Sequence, residues 1–138
     1  MDRIQTLLGF LADDPGDAFT RFALAQEYAK KGDTQAALDQ YETLRREQPD
    51  YVGTYYHLGK LLAATGATDD ALAVYREGIA VAQNVRDLHA RAELQDALNK
   101  LEMVARILQS RDRGLTMIFT RTKRAADRVA EDLDFRGF

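Results

Sequence analysis

Residues 24–41 read LAQEYAKKGDTQAALDQY, and residues 58–75 read LGKLLAATGATDDALAVY. The two segments start 34 residues apart, and seven pairs of positions that bear on the fold agree, when alanine and glycine are counted together as small residues. An amphipathic helix repeats its apolar residues about every 3.6 positions, so amphipathicity alone does not explain agreement at so long a spacing. A long fixed period of this kind is typical of stacked helical hairpins.

The matched residues are those that a helical hairpin needs. In pairs, they are Leu24 and Leu58, Ala25 and Gly59, Gly32 and Gly66, Thr34 and Thr68, Ala37 and Ala71, Leu38 and Leu72, and Tyr41 and Tyr75. The small residues let two helices approach closely, and the glycines end the first helix of each pair. The aromatic residues are expected to fill the seam between the helices.

This segment, residues 18–85, resembles the tetratricopeptide repeat family. The residues that carry the resemblance are Leu24, Ala25, Tyr28, Gly32, Ala37, Tyr41 and Pro49 in the first copy, and Tyr55, Leu58, Gly59, Gly66, Ala71 and Tyr75 in the second. The second copy departs from the pattern at Leu62, where the first has Tyr28, and at Gln83, where the first has Pro49. The resemblance implies an all-α solenoid of two hairpins.

The apolar periodicity predicts one further helix on each side of the repeats. An N-terminal helix is expected over residues 3–12, repeats over residues 18–51 and 52–85, and a closing helix over residues 87–109. Asp17, Thr34, Asp50 and Thr68 are the expected N-caps. The closing helix would cover the apolar end of the second repeat, or form a coiled-coil arm that dimerises the protein. Residues 1–110 are thus predicted to form one helical domain.

Composition favours a soluble, cytoplasmic protein of one domain. The chain has 138 residues, of which 46% are apolar and 30% are charged, with no cysteine. It lacks an apolar run of the roughly 20 residues that span a bilayer, and its start has no signal-peptide pattern. Residues 1–110 carry 12 basic and 17 acidic residues, whereas residues 111–138 carry 7 basic and 5 acidic ones. A basic character is therefore confined to the tail.

The tail, residues 111–138, has a different pattern. Residues 115–119, LTMIF, predict a short strand, and residues 123–133 predict a helix. The segment 114–138 resembles the region around motif IV of DEAD-box RNA helicases. We therefore expect a β-α appendage and consider a chimera of a repeat body with a helicase fragment, the alternative being a natural tail. The edge of the strand Leu115–Phe119 would favour a homodimer.

Catalysis is not expected. The chain has two histidines, His57 and His89, and one serine, Ser110, none in a metal-binding or nucleophile pattern. It also lacks a phosphate-binding loop, so the tail could not act as a helicase. Neither a metal nor another cofactor is predicted. The helicase resemblance implies at most weak, salt-sensitive RNA contacts, through Arg121, Lys123 and Arg124.

Protein binding is the function that the repeat resemblance implies, through the concave face that the first helix of each repeat lines. The predicted lining residues are Phe19, Phe22, Gln26, Lys30, Tyr56, Lys60, Ala64 and Arg91. Aromatic and long polar side chains suit an extended or helical peptide with some negative charge. The sequence therefore predicts a non-catalytic adaptor or scaffold, with weak RNA binding through the tail as the alternative.

Overall fold

A computed structural model describes residues 2–117, with side chains through Arg111. These residues form six α-helices and no strand, namely α1 (Arg3–Asp13), α2 (Ala18–Lys31), α3 (Thr34–Glu47), α4 (Gly53–Ala64), α5 (Thr68–Asn84) and α6 (Leu88–Met117). None of the helices in this described part combines the length and the apolarity that crossing a bilayer requires. The helical repeat architecture predicted for these residues is confirmed.

Two helix pairs, α2 with α3 and α4 with α5, form the hairpins. Gly32 directly follows α2 with φ of +91°, and Gly66 lies just beyond α4 with φ of +89°. Glycine adopts this left-handed backbone without the steric cost that a side chain would add. The two equivalent glycines therefore end the first helix of each repeat, and Pro49 follows the end of α3, as predicted.

The seam inside the hairpins is dry and closely packed. Its fully buried members, each with 0% exposure, include Leu24, Ala25, Ala37, Leu44, Tyr55, Leu58 and Ala71. A Cβ atom on Gly59 would lie 2.4 Å from the ring of Tyr75, so α4 and α5 approach each other more closely than alanine would allow. This close approach explains the small residue at position 59.

A neighbouring helix packs against each end of the hairpin stack. At one end, Leu7 and Leu11 of α1 pack with Ala23 and Leu24 of α2. At the other, Leu94 of α6 is 1% exposed, and its Cδ1 lies 3.1 Å from the position that a Cβ on Gly78 would occupy. Both helices bury apolar surface that a stack of two hairpins would otherwise expose.

A polar contact links the second helices of the two repeats. The guanidinium of Arg45 in α3 donates to Glu77 of α5 from both Nε and Nη2, at 2.9 and 2.6 Å. The hydrogen bond that Arg45 donates to Glu77 is the main reason that the pKa of Arg45 is raised, and burial partly opposes this increase. The pair is partly exposed, so we expect it to fix orientation more than to add stability.

One of the four predicted helix caps, Asp17, is in place, and the other three are not. Asp17 precedes α2, although its carboxylate accepts from the hydroxyl of Thr20 at 2.6 Å and not from a backbone N–H. Thr34 is the first residue of α3, and the cap is Asp33, which accepts from Ala36 N. Aspartate and threonine are both favoured N-cap residues, and here the aspartate takes the N-cap position while the threonine that follows it is already helical.

The second repeat begins its helices without a side-chain cap. The residue before α4 is Val52, so Asp50 lies too early to cap that helix. The residue before α5 is Ala67, and Thr68 is already helical. The acidic Asp69 and Asp70 in the first turn of α5 complement the helix dipole instead. Of the expected caps, therefore, only Asp17 precedes its helix.

The closing helix is longer than predicted. Residues Leu115, Thr116 and Met117 belong to α6 and not to a strand. Leucine and methionine are good helix formers, and a helix satisfies its backbone hydrogen bonds locally, whereas a lone strand cannot. These three residues therefore offer no strand edge for the predicted dimer. The rest of the predicted β-α segment lies outside the described residues. The chain divides into two compact units between Ala97 and Leu98, and α6 contributes to both.

Candidate peptide-binding face

The first helices of the two repeats, α2 and α4, each contribute one row of side chains to a common face. Gln26, Ala29 and Lys30 lie on successive turns of α2, and His57, Lys60, Leu61 and Ala64 do so on α4. Residues spaced by three and four positions share one side of a helix. Between the two rows lies an open hollow of about 380 Å³, which we call the lysine hollow. Its lining consists of those seven residues and Tyr41.

Tyr41 reaches the lysine hollow from α3 and is the buried member of its lining. The residue is 2% exposed, and burial raises the pKa of its phenol to about 12. Tyr55 donates its hydroxyl to the carbonyl of Pro49, whereas the hydroxyl of Tyr41 makes no hydrogen bond to the described part of the chain. The hollow therefore contains an unused donor that stays protonated at neutral pH.

Two lysines make the lysine hollow electropositive. Lys30 approaches Glu27 only to 3.8 Å, and Glu27 makes a shorter contact, of 2.9 Å, with Arg3. Lys60 is exposed, and no ion pair ties it to the described residues. Both ammonium groups are thus available to an anionic group that enters from solvent.

His57 separates this hollow from a smaller one. Its ring packs edge-on against Phe22 and Tyr56, with centroids 5.1 and 5.4 Å away. Burial and then the neighbouring charge of Lys60 lower its pKa, while Glu93 acts in the opposite direction. The imidazole is therefore held neutral and aromatic in the middle of the face.

The smaller hollow, of about 140 Å³, has the opposite charge, and we call it the acidic hollow. It is lined by Val52, Gly53, Tyr56, His57, Asp87, Ala90, Glu93 and Leu94. Asp87 caps α6 by accepting from Ala90 N at 3.0 Å. Glu93 lies 3.8 Å from the exposed His89. Charge thus changes sign across His57.

A third open hollow adjoins the lysine hollow on the side of α1. It is lined by Asp2, Arg3, Ile4, Glu27, Lys30 and Lys31. Lys30 lines both this hollow and the lysine hollow, just as His57 lines both the lysine hollow and the acidic one. The three hollows therefore follow one another across the helices, the first between α1 and α2, the second between α2 and α4, and the third between α4 and the start of α6.

The predicted lining residues are distributed unevenly on this face. Gln26, Lys30, Lys60 and Ala64 meet in the lysine hollow, and Tyr56 lines the acidic hollow. Phe22 is half-buried among Tyr41, Tyr51 and His57, so it supports the face more than it projects from it. Phe19 is 69% exposed and lines neither of these two hollows, and the same holds for the exposed Arg91.

Sequence reasoning missed four polar members of the lysine and acidic hollows, namely Tyr41, His57, Asp87 and Glu93. The sequence pattern places Tyr41 in the seam, and it gives His57 no binding role. Asp87 and Glu93 give the α6 end of the face an acidic character, where the basic Arg91 was expected. The signal that could have found His57 is its place beside Tyr56 and one turn before Lys60. Arg121, Lys123 and Arg124 lie outside the described residues.

The described residues contain no group of three or more His, Cys, Asp or Glu side chains placed to hold a metal ion. The basic and acidic groups of the face instead lie on opposite sides of an aromatic cluster. An arrangement of this kind can hold a ligand through several weak contacts.

Comparison with known proteins agrees with the geometry of the hairpins. A tetratricopeptide repeat family model matches residues 22–85. The solution structure of a tetratricopeptide repeat domain protein from Salinibacter ruber is 50% identical, covers 64% of this chain and 90% of its own, and has a TM-score of 0.63. The chain belongs to the tetratricopeptide repeat family.

Two further solved structures share the fold of this tetratricopeptide repeat chain. A protein from Bordetella parapertussis is 25% identical over 88% of this chain and 99% of its own, with a TM-score of 0.64. The crystal structure of MamA is 21% identical over 72% of this chain and 65% of its own, with a TM-score of 0.54, and shows likeness of fold alone. A search of curated proteins gave no match.

Proposed function

We propose that this chain is a non-catalytic adaptor that holds a peptide segment of a partner protein on the face formed by α2 and α4. The observation that carries the proposal is the lysine hollow, where Gln26, Lys30 and Lys60 meet above the buried Tyr41. Membership of a repeat family whose units stack into extended binding surfaces supports it. So does the mixture of aromatic and long polar side chains along one face.

The proposed binding mode is an extended peptide lying along the hollows. The face is open to solvent and runs past three hollows, which suits an elongated ligand better than a compact small molecule. The aromatic cluster of Phe22, Tyr56 and His57 would supply apolar contact in the middle, and the flanking charges would select the partner sequence. Weak RNA binding through Arg121, Lys123 and Arg124 stays an untested alternative, because no observation on the described residues favours it.

The test of this function uses peptides selected from a random 12-residue display library on the full chain. Ala64→Trp adds a large ring to the rim of the lysine hollow, so we expect the affinity of the selected peptides, measured by fluorescence anisotropy, to fall at least tenfold. Ala73→Trp is the matched control, because Ala73 is an exposed residue of the second-repeat partner helix α5 and lines neither the lysine nor the acidic hollow.

Ala73→Trp should bind like the parent chain. Equal losses for the two variants would show that the tryptophan acts through stability or aggregation and not through the face. A library that yields no binder, or binders unaffected by Ala64→Trp, would contradict the proposed function.

A further inference from the structure

We infer that the lysine hollow recognises the side-chain carboxylate of an aspartate or glutamate inside an extended partner peptide, with the hydroxyl of Tyr41 as an additional donor. This inference rests on the proposed function and deepens it by naming the recognised group.

The first step is the unused hydroxyl of Tyr41. The buried side-chain polar atom that lacks a partner in the described part of the chain is Thr54 Oγ1, so the hydroxyl of Tyr41, which has no partner either, is not closed off from solvent. Tyr41 is 2% exposed and lines the hollow, and its hydroxyl has no partner among the described residues. Its pKa of about 12 makes it a donor at neutral pH. A ligand atom that accepts a hydrogen bond would satisfy this group.

The second step is the charge and chemistry of the rest of the lining. Lys30 and Lys60 supply positive charge from α2 and α4, and the amide of Gln26 can donate as well. The carboxylates described on this face line the other two hollows, at Asp2 and Glu27 on the α1 side and at Asp87 and Glu93 in the acidic hollow. Hydrogen bonds between a carboxylate and a neutral or cationic donor are stronger than neutral pairs. The acceptor that fits best is therefore an anion.

The third step distinguishes a side-chain carboxylate from the carboxylate at the end of a chain. The lysine hollow is open and adjoins a further hollow on each side, because Lys30 also lines the hollow next to α1 and His57 also lines the acidic hollow. A peptide can thus pass through it in both directions, and nothing at the hollow marks the end of a chain. The occupant is an internal aspartate or glutamate of another protein, and not a terminal carboxylate.

The acidic hollow then sets the direction of the peptide. An acidic residue placed on the far side of His57 would meet Asp87 and Glu93 and be repelled, whereas a lysine or arginine would be attracted. The partner peptide should therefore carry its acidic residue over the lysine hollow. If it has a second charged residue, over the acidic hollow, that residue should be basic.

The experiment measures the affinity of library-selected peptides and of variants in which each acid is replaced by its amide. We expect one internal acid-to-amide replacement to weaken binding to the full chain about tenfold or more, because a charge-assisted hydrogen bond and an ion pair are lost. Amidation of the peptide C-terminus should have little effect.

Tyr41→Phe removes the donor and keeps the ring. It should weaken binding of the acidic peptide about tenfold and have little effect on binding of the amide version. The four affinities form a double-mutant cycle, which isolates the interaction between the Tyr41 hydroxyl and the peptide carboxylate. Tyr75→Phe is the matched control, because Tyr75 is the equivalent buried tyrosine of the second repeat and does not line the lysine hollow. Lys60→Gln, at an exposed position, should reproduce the loss and reduce its salt dependence.

Several outcomes would overturn the inference while leaving the proposed function intact. These are peptides that bind the face equally well as amides, peptides whose C-terminal amidation abolishes binding, and equal effects of Tyr41→Phe and Tyr75→Phe. Loss of peptide binding on deletion of residues 118–138 would contradict both this inference and the proposed function, because the site would then depend on the tail. A library without any binder to the face would contradict both proposals.

Discussion

Gly59 and Gly9 are both helical glycines, yet a methyl group should have opposite effects at the two positions. A Cβ on Gly59 would lie 2.4 Å from the ring of Tyr75, whereas a Cβ on Gly9 would meet nothing within 4 Å. Overpacking a core costs about 1–3 kcal/mol, and replacing glycine by alanine inside a helix gains about 0.5–1 kcal/mol. We therefore expect Gly59→Ala to lower the free energy of unfolding and Gly9→Ala to raise it. Urea denaturation of both variants checks the sign.

The buried tyrosines should respond differently to loss of their hydroxyl groups. Tyr55→Phe removes a hydrogen bond to Pro49 O and should lower the free energy of unfolding by about 1 kcal/mol. Tyr41→Phe removes a hydroxyl that has no partner in the described part of the chain, so we expect no loss of stability. Thermal unfolding at equal concentration measures both. A loss for Tyr41→Phe as large as that for Tyr55→Phe would mean that its hydroxyl is satisfied within the protein.

His57 gives stability a dependence on pH. Burial and the charge of Lys60 lower its pKa in the folded chain below the ordinary value of 6.5. The unfolded chain therefore binds the proton more readily, so this contribution is complete above about pH 6.5 and is lost as pH falls through the folded pKa. We expect His57→Gln to reduce the decrease in stability on mild acidification. His89→Gln is the control, since the side chain of His89 is 91% exposed, and an equal effect of the two variants would contradict the assignment.

At the scale of elements, α6 stabilises the second repeat through one buried side chain. Leu94 is 1% exposed and packs beside Gly78 and Tyr55, whereas Leu88 in the first turn of the same helix is 72% exposed. Truncating a buried leucine to alanine typically costs 2–5 kcal/mol. We expect Leu94→Ala to lower the free energy of unfolding by about that amount and Leu88→Ala to change it little. Similar values for the two would show that α6 does not cover the repeat.

The hairpins could be predicted from the sequence because their determinants are local and periodic. Turn glycines at Gly32 and Gly66 and small residues at Ala25 and Gly59 mark the same positions in both copies. The end of α6 could not be predicted in the same way. The run at Leu115–Phe119 is short and apolar, and such a run is compatible with either a strand or a buried helix.

The binding face was predicted only in part, because helical spacing can be read from the sequence whereas tertiary packing cannot. Helical spacing places Gln26, Lys30 and Lys60 on one surface, and that much is readable from the sequence. The pattern assigns Tyr41 to the seam, but it does not specify where the end of a long side chain emerges. The position of Asp87 and Glu93 opposite Tyr56 depends on how α6 begins after the second hairpin. Tertiary packing, not periodicity, determines those features.

At the scale of the whole molecule, the described part of the chain has two tetratricopeptide hairpins, and a further helix packs against each of them. Short stacks offer a small face, so affinity for a partner should come from a few well-placed contacts and not from area. The lysine hollow, the aromatic cluster at His57 and the acidic hollow together are of the size that a few peptide residues can occupy. The account thus predicts moderate affinity with strong dependence on salt.

The central claim is that the partner peptide lies along α2 and α4. Titration of the isotopically labelled full chain with a library-selected peptide, followed by NMR, tests it most directly. The account predicts that the largest amide shifts fall on and beside Gln26, His57 and Lys60. Shifts concentrated on the exposed side of α3 and α5, for example around Arg46 and Ala73, would contradict it.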